Sequence, residues 1–367
     1  MSSSKPPVRF ALAGFGAWGK LHAQSIAMNP DARLAAITAP SEASRQEAAQ
    51  LYPEAQVFAD AESMIAQMEF DILDIVTPSH THREIAIAAM QKGRHVLLEK
   101  PMAITLEDCK AIVAAARECG VQLAVGHELR LSSQWGEIKR IIQRDVIGDP
   151  QYVLVELLRK PYRLGASGWR YDQSRVGSWV LEEPIHFFDL ARWYLEGSGD
   201  PTELYAYGNS RDPQRPDLFD NFSAMFKYAN GSYAVVSQTL AAFEHHQTVK
   251  ISGTKGALWA GWSGALDRTL EPSYFLRVFD GEKLEEVKME KHSGEVFELR
   301  EEITQCIRMV RGEGAPAATG LDGLWSAGLC LVAEESIRQK RPLPVAEMLQ
   351  FYTDSQKPVR NPDGGTA

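Results

Sequence analysis

Val8-Arg9-Phe10-Ala11-Leu12-Ala13-Gly14-Phe15-Gly16-Ala17-Trp18-Gly19 decides the fold. A compact apolar run enters a glycine turn, and Leu21, Ile26 and Met28 among several alanines then predict a helix ending near Asn29-Pro30. Strand, glycine turn and helix in that order give G-x-G-x-x-G a physical meaning. Gly14 permits the tight turn, Gly16 lets the backbone approach a pyrophosphate, and Gly19 allows close packing of helix on strand; the helix N-terminus adds N–H donors and a positive dipole end. Glycine-rich turns also arise for purely structural reasons, but in this context the reading is dinucleotide binding.

The next segments repeat the alternation. Strands are expected at Leu34 to Thr38, Asp71 to Val76, His95 to Leu98 and Val121 to Val125, with helices through Ile85 to Met90 and from about Leu106 to Cys119. Alternating strands and helices with short connections predict an α/β fold with a parallel, doubly wound sheet. The acidic residue that usually grips the ribose of NAD after the second strand is missing, because the chain reads Thr38-Ala39-Pro40-Ser41. Ser41, Ser44 and Arg45 could contact a 2′-phosphate, which leaves NAD and NADP both open. Arg45 reads equally well as a solvent-facing residue of the following helix.

Lys92-Gly-Arg-His-Val-Leu-Leu-Glu-Lys-Pro101 is the first chemically dense stretch. Gly93 ends a helical pattern, His95 to Leu98 form a buried strand, and Glu99-Lys100-Pro101 put two opposite charges and a rigid ring at its end. Ligands of open α/β sheets bind beyond the carboxyl ends of the strands, so this lysine is placed for chemistry. Pro101 biases Lys100 towards an extended conformation and limits where the ammonium points. The competing reading is a surface salt bridge beside a turn.

With 367 residues the chain is long enough for about two domains. Its net charge of -9 argues against a protein that wraps nucleic acid, which needs a basic stripe. The four cysteines show no C-x-x-C spacing and no histidines at zinc-binding intervals, so no metal is expected and reduced, buried thiols are. The first residues lack the apolar core of a leader, and no run is long and uncharged enough to span a bilayer. A cytoplasmic protein with no membrane partner is expected.

Gly14 to Gly19 with His22, Thr77-Pro78 with His82, and Gly93-x-His95-Val96 with Glu99-Lys100-Pro101 together resemble the successive motifs of the glucose-fructose oxidoreductase/inositol dehydrogenase/rhizopine catabolism (Gfo/Idh/MocA) oxidoreductases. The resemblance runs from about Val8 to Pro344. It implies that Gly14, Phe15, Gly16, Ala17, Trp18 and Gly19 hold the pyrophosphate, that Thr77, Pro78, Ser79 and His82 line the nicotinamide side, and that Lys100 is catalytic. Glu128, in Gly126-His127-Glu128-Leu129-Arg130, stands where the family usually has an asparagine that contacts the nicotinamide ribose.

From about Gly148 the rhythm changes. Strands are expected near Tyr152 to Leu158, Glu203 to Tyr207, Asn221 to Tyr228, Ser232 to Gln238, Thr248 to Gly253, Ala257 to Ala260 and Tyr274 to Phe279. Turns such as Asn230-Gly231 and Asp280-Gly281 separate them, predicting a large, mostly antiparallel open sheet. Helices are expected over Glu295 to Arg311 and Leu321 to about 339, the second packing back on the first domain. The expected division is a Rossmann domain over 1–127, an α+β substrate and oligomerisation domain over 128–348, and a mobile tail over 349–367.

Trp169-Arg170 and then Gly177 to Trp193 form the second dense stretch. Pro184 suits the first position of a helix, which puts His186 in its first turn. The dipole there disfavours an imidazolium and leaves a ring able to accept a proton. Asp189, one turn on, is a candidate to orient it; a half-buried histidine satisfied by Asp189 for structural reasons is the alternative. By resemblance His186 aligns with the family's catalytic histidine, and Glu182 replaces the aspartate four residues before it. Trp169 and Arg170 are counted with the cofactor-binding set. Tyr162, Trp169, Tyr171 and Trp179 could stack on a sugar or simply pack.

The expected activity is hydride transfer between NAD or NADP and a secondary alcohol of a sugar, glycoside or inositol. His186 takes the hydroxyl proton, Lys100 hydrogen-bonds the same oxygen, Glu99 holds the Lys100 ammonium, and Glu182 and Asp189 steer substrate and His186. Redox-assisted elimination with a retained cofactor and a non-catalytic dinucleotide or sugar sensor are the alternatives. A homo-oligomer, dimer or tetramer, is expected from the open sheet.

Overall fold

The computed structural model describes residues 5–349; the tail expected over 349–367 lies outside them apart from Leu349. Two sheets organise the described residues. The first is built from β1 (Val8–Ala13), α1 (Ala17–Ala27), β2 (Ala32–Thr38), α2 (Glu42–Leu51), β3 (Gln56–Phe58), α3 (Ala61–Gln67), β4 (Ile72–Ile75), α4 (His82–Gln91), β5 (His95–Leu98), α5 (Leu106–Glu118) and β6 (Leu123–Val125). The strand order is β3-β2-β1-β4-β5-β6 and every neighbouring pair is parallel. Chain direction across the sheet reverses between β1 and β4, which opens a crevice at their carboxyl ends. The edge strand β3 was not legible, because three residues are too few to show a period.

The second half comprises α6 (Trp135–Gln143), β7 (Pro150–Arg159), α7 (Gln173–Val176), α8 (Trp179–Glu182), α9 (Pro184–Tyr194), β8 (Glu203–Asn209), β9 (Asn221–Lys227), β10 (Tyr233–Thr239), β11 (His245–Gly253), β12 (Ala257–Gly264), β13 (Ser273–Phe279), β14 (Leu284–Glu286), α10 (Glu295–Val310), α11 (Gly320–Gln339) and β15 (Leu343–Pro344). Its strands form one sheet in the order β14-β13-β12-β11-β7-β10-β9-β8-β15. Pairing is antiparallel except between β7 and β10. Phe222, Ala224 and Phe226 of β9 point inward and Ser223, Met225 and Lys227 outward, so one face is core and the other is open.

Two helices from the second half cover the first sheet. The N-terminus of α11 is closed by Thr319 and Asp322, each bonding the other's main chain. A Cβ on Gly320 would lie 2.6 Å from Leu123, and one on Gly323 2.8 Å from Val125, so only glycine lets α11 close on β6. Ile303, Cys306, Ile307 and Met309 of α10 share a core with Phe10, Leu12 and Ile26. Cys109, Cys306 and Cys330 are buried, but Cys119 is exposed, contrary to expectation, because it caps the outer end of α5. No helix among the described residues is long and apolar enough to cross a membrane.

Arg130, just after β6, is the joint between the halves. Its Nε and Nη2 each donate to Asp189 of α9 at 2.7 Å, Nη2 reaches Asp322 of α11 at 3.1 Å, and Nη1 donates to the Ala317 carbonyl. Although burial opposes its charge, Asp322 is held down to about 2, chiefly by the Arg130 guanidinium. That contribution to stability is complete above the carboxyl's ordinary value of 3.8 and is lost as pH falls towards 2. Arg130→Met strands the buried Asp189 carboxylate and removes one cation from Asp322, which keeps Arg192 and Thr319, and is expected to cost on the order of 3–5 kcal/mol. Adding Asp189→Asn should recover part of that loss; thermal midpoints of the parent, single and double variants measure it.

Candidate active site

The glycine turn is fixed by contacts that leave no choice of residue at two positions. Gly14 has φ +105°, and a Cβ there would lie 2.7 Å from the Val76 carbonyl oxygen. One on Gly19 would lie 2.1 Å from the Gly14 carbonyl oxygen. Gly16 differs: a Cβ there would meet nothing within 4 Å, and no side chain caps the N-terminus of α1. Free N–H groups facing open space at the crevice suit a pyrophosphate. Ala17 borders the same space, while Phe15 turns its ring into the core against Tyr52, so only its main chain faces the crevice.

At the end of β2, Thr38 Oγ1 accepts the Gly14 N–H at 3.1 Å. Its hydroxyl braces the turn. Ser41 caps α2 by accepting from Ser44, and Arg45 folds back onto the Ala39 and Pro40 carbonyls and onto Glu42. Arg45 is therefore not a free solvent-facing residue. At the end of β4, Thr77 Oγ1 accepts from Thr81, Pro78 opens a turn, and Ser79 is buried within it. His82 places Nε2 2.8 Å from the Thr77 carbonyl and Nδ1 3.1 Å from that of Pro101. Burial holds the ring below the usual imidazole range, so neutral His82 donates to one carbonyl and ties the β4 and β5 ends together.

The end of β5 departs from expectation. Glu99 does not hold the Lys100 ammonium; its Oε1 accepts from Trp18 Nε1 at 2.8 Å and lies 3.1 Å from His22 Nε2, and its Oε2 accepts the Lys100 main-chain N–H. The reason is His22, whose other nitrogen meets Asp74 at 2.8 Å. Burial opposes a charge on His22, but Asp74 and Glu99 raise it well above the imidazole range. The Lys100–Pro101 bond is cis, and Lys100 Nζ donates to the Glu182 carbonyl at 2.9 Å. Against burial, Glu182, Glu128, Glu99 and Glu295 keep Lys100 above its ordinary value, and it is an ammonium.

His186 arrives from the other half, in the first turn of α9 behind Pro184, as predicted. Asp189 does not orient it, because both Asp189 oxygens are taken by Arg130. The His186 Nδ1 is buried with no partner among the described residues, and its Nε2 lies 3.6 Å from Glu128 Oε1. Burial, then the charge of Lys100, then His127 hold the ring well below the usual range, so it is a neutral base. Glu128 is pushed well above the carboxylate range by burial and by Glu99, Glu295 and Glu302.

Around them, Glu182 pairs through its carboxylate with Arg170, whose guanidinium lies 4.6 Å from the Trp169 ring centre. Trp169 and Arg170 thus stand with Glu182. Trp179 meets Tyr171 and Tyr162 edge-on at 5.0 and 6.0 Å, so these aromatic rings largely pack on one another. Sequence reasoning gave no role to Asp74, although a charge inside the apolar run Ile72-Leu73-Asp74-Ile75 is a visible signal of a buried partner. It also gave none to Arg130.

A Rossmann sheet with an open glycine cradle, met by a helix of the second half that brings a neutral histidine to the lysine ammonium at the end of β5, defines a dinucleotide-dependent oxidoreductase. Residues 8–127 match the oxidoreductase family with the NAD-binding Rossmann fold, GFO/IDH/MocA, and residues 135–259 match the GFO/IDH/MocA C-terminal domain. The chain belongs to this family. It is 29% identical over 277 residues to 1,5-anhydro-D-fructose reductase of Ensifer adhaerens, covering 74% of this chain and 79% of that one. It is 25% identical to myo-inositol 2-dehydrogenase of Thermotoga maritima, covering 93% and 100% of the two chains. The WlbA dehydrogenase of Bordetella pertussis, solved with NADH and UDP-GlcNAcA, superposes with a TM-score of 0.76 at 26% identity, covering 92% of this chain and 98% of that one.

The cradle separates folding from binding. Gly16→Asp supplies a helix cap and an obstructing carboxylate, so it should keep or raise the thermal midpoint while abolishing dinucleotide binding. Gly14→Ala should instead lower the midpoint. Titration with NADH, read by fluorescence, and thermal melts of both variants check this.

Proposed function

We propose that the protein moves a hydride between a nicotinamide dinucleotide and a secondary hydroxyl or keto carbon of a sugar, glycoside or inositol. The observation that carries this is the Lys100 ammonium from the first half, bonded to the Glu182 carbonyl four residues before His186 and close enough to the His186 imidazole to disfavour its charge. The family relation and the substrates named for its relatives support it. Residues 1–127 hold the cofactor and 128–348 the substrate.

The bound nicotinamide supplies or takes the hydride. Gly14, Gly16, Ala17 and Gly19 cradle the pyrophosphate, and Thr77, Pro78, Ser79 and His82 border the nicotinamide side. NAD fits better than NADP, since Arg45 is already committed to two carbonyls and Glu42 and is poorly placed to meet a 2′-phosphate. His186 takes the hydroxyl proton, and Lys100 donates a hydrogen bond to the same oxygen and stabilises developing negative charge. Arg170 and Trp169, fixed by Glu182, wall the substrate side.

The open face of the second sheet carries Tyr207, Met225, Tyr233, Trp259 and Phe279, all exposed. Such a broad apolar face fits a second copy of the chain. Sedimentation should return a multiple of 40.8 kDa, and Met225→Glu combined with Trp259→Glu should lower it.

Lys100→Ala and His186→Ala are each expected to lower kcat by roughly 10²–10⁴. Dinucleotide affinity should stay within a few-fold. Free NADH should accumulate when the parent meets its alcohol; steady turnover of sugar with none appearing would favour redox-assisted elimination, and parental rates in both variants would end the proposal.

A further inference from the structure

Glu128 is the carboxyl group closest to His186, and the mechanism above gives it no part. Its Oε1 lies 3.6 Å from His186 Nε2, both side chains are buried, and its Oε2 has no partner among the described residues. Among the described residues no other carboxylate is paired with the ring: Asp189 is held by Arg130, and the Glu182 carboxylate by Arg170. An imidazolium formed at His186 would stand in a buried site beside the Lys100 ammonium. Without a nearby anion that state is strongly disfavoured.

We propose that Glu128 is the proton partner of His186, the two side chains sharing a single proton that the pair takes up when the alcohol is oxidised and returns when the carbonyl is reduced. The inference rests on His186 being the proton acceptor. In the oxidising direction the pair begins as a neutral imidazole and a carboxylate. The substrate O–H bond breaks, its proton goes to His186 Nε2 and is held between that nitrogen and Glu128 Oε1, and the carbon gives up two electrons as hydride to the nicotinamide. Reduction runs the same transfers backwards. Glu128 acts through His186 and is a positioning residue for the proton.

The groups facing the pair fix the sign. Lys100 and Glu99 come from the end of β5, His127 lies beside Glu128, and Glu295 and Glu302 come from α10. Burial and the three carboxyls favour the protonated form of Glu128; burial, Lys100 and His127 favour the neutral form of His186. When the pair holds one proton it therefore sits on Glu128, and oxidation, which starts from the carboxylate form, speeds up as pH rises and that proton leaves.

The test reads protonation directly, without substrate. Nitrogen-15 imidazole spectra of the full chain, with His186→Ala assigning the signal, should show His186 sensing a second ionisation in the parent and in Glu128→Asp. In Glu128→Gln that second step should vanish, leaving the ring's own protonation alone, because no ionisable group then faces the imidazole. Superimposable titrations of the parent and Glu128→Gln overturn the proposal. So does a Glu128→Gln variant that loses NADH binding with its titration unchanged, which would make Glu128 a cofactor contact. If no alcohol is oxidised by the parent yet the titrations differ, the pair stands and the hydride-transfer reading falls.

Discussion

The buried ion triad Asp74–His22–Glu99 is the constraint on which the cleft depends. It joins the helix after the glycine turn to the centre of β4 and the end of β5, so three elements that must agree in register are tied at one imidazole. Burying one imidazolium between two carboxylates leaves a net negative charge, and a further anion nearby is then costly. Glu302 shows the consequence. Burial and then Glu99 push its carboxyl well above the usual range. The Lys100 ammonium offsets the charge on Glu99, and Glu99 accepts the Lys100 main-chain N–H. Orientation of the glycine cradle and placement of the ammonium are thus consequences of the same contact.

The second sheet reaches this cleft because helices return to the first. Gly320 and Gly323 let α11 lie directly on β6, and α10 fills the groove beside α1. Arg130 then locks α9 to α11. His186, one turn before Asp189 on α9, inherits its position from that lock. Asp189 matters for where His186 sits, though it never touches the ring.

The alternation of apolar runs and glycine turns made the first sheet legible, since its central strands are buried on both faces and read as unbroken hydrophobic segments. The outer strands β3, β14 and β15 escaped, being too short to carry a pattern. Within the site, residues set by local chain geometry were readable: Gly14 by its turn, His186 by Pro184, Lys100 by the strand it ends. Pairings across distant segments were not. Glu99 next to Lys100, and Asp189 three residues after His186, invited local pairs, but the stronger partners were His22 and Arg130, far away in sequence. A buried bidentate arginine–carboxylate pair outcompetes a neutral histidine for the same oxygens, and sequence neighbourhood cannot reveal that.

Desolvation has opposite effects on groups that gain charge by losing or by accepting a proton. It raises Glu128 and lowers His186, so a pair holding one proton carries it on Glu128, with the Lys100 ammonium beside it. That arrangement favours an uncharged hydroxyl or carbonyl as the arriving group. A negative charge on the substrate oxygen then develops against a fixed cation, and once Glu128 has ionised the proton released enters a pair that becomes less charged by accepting it. With the Glu182 carboxylate taken by Arg170, Glu128 is the carboxyl that faces the histidine among the described residues.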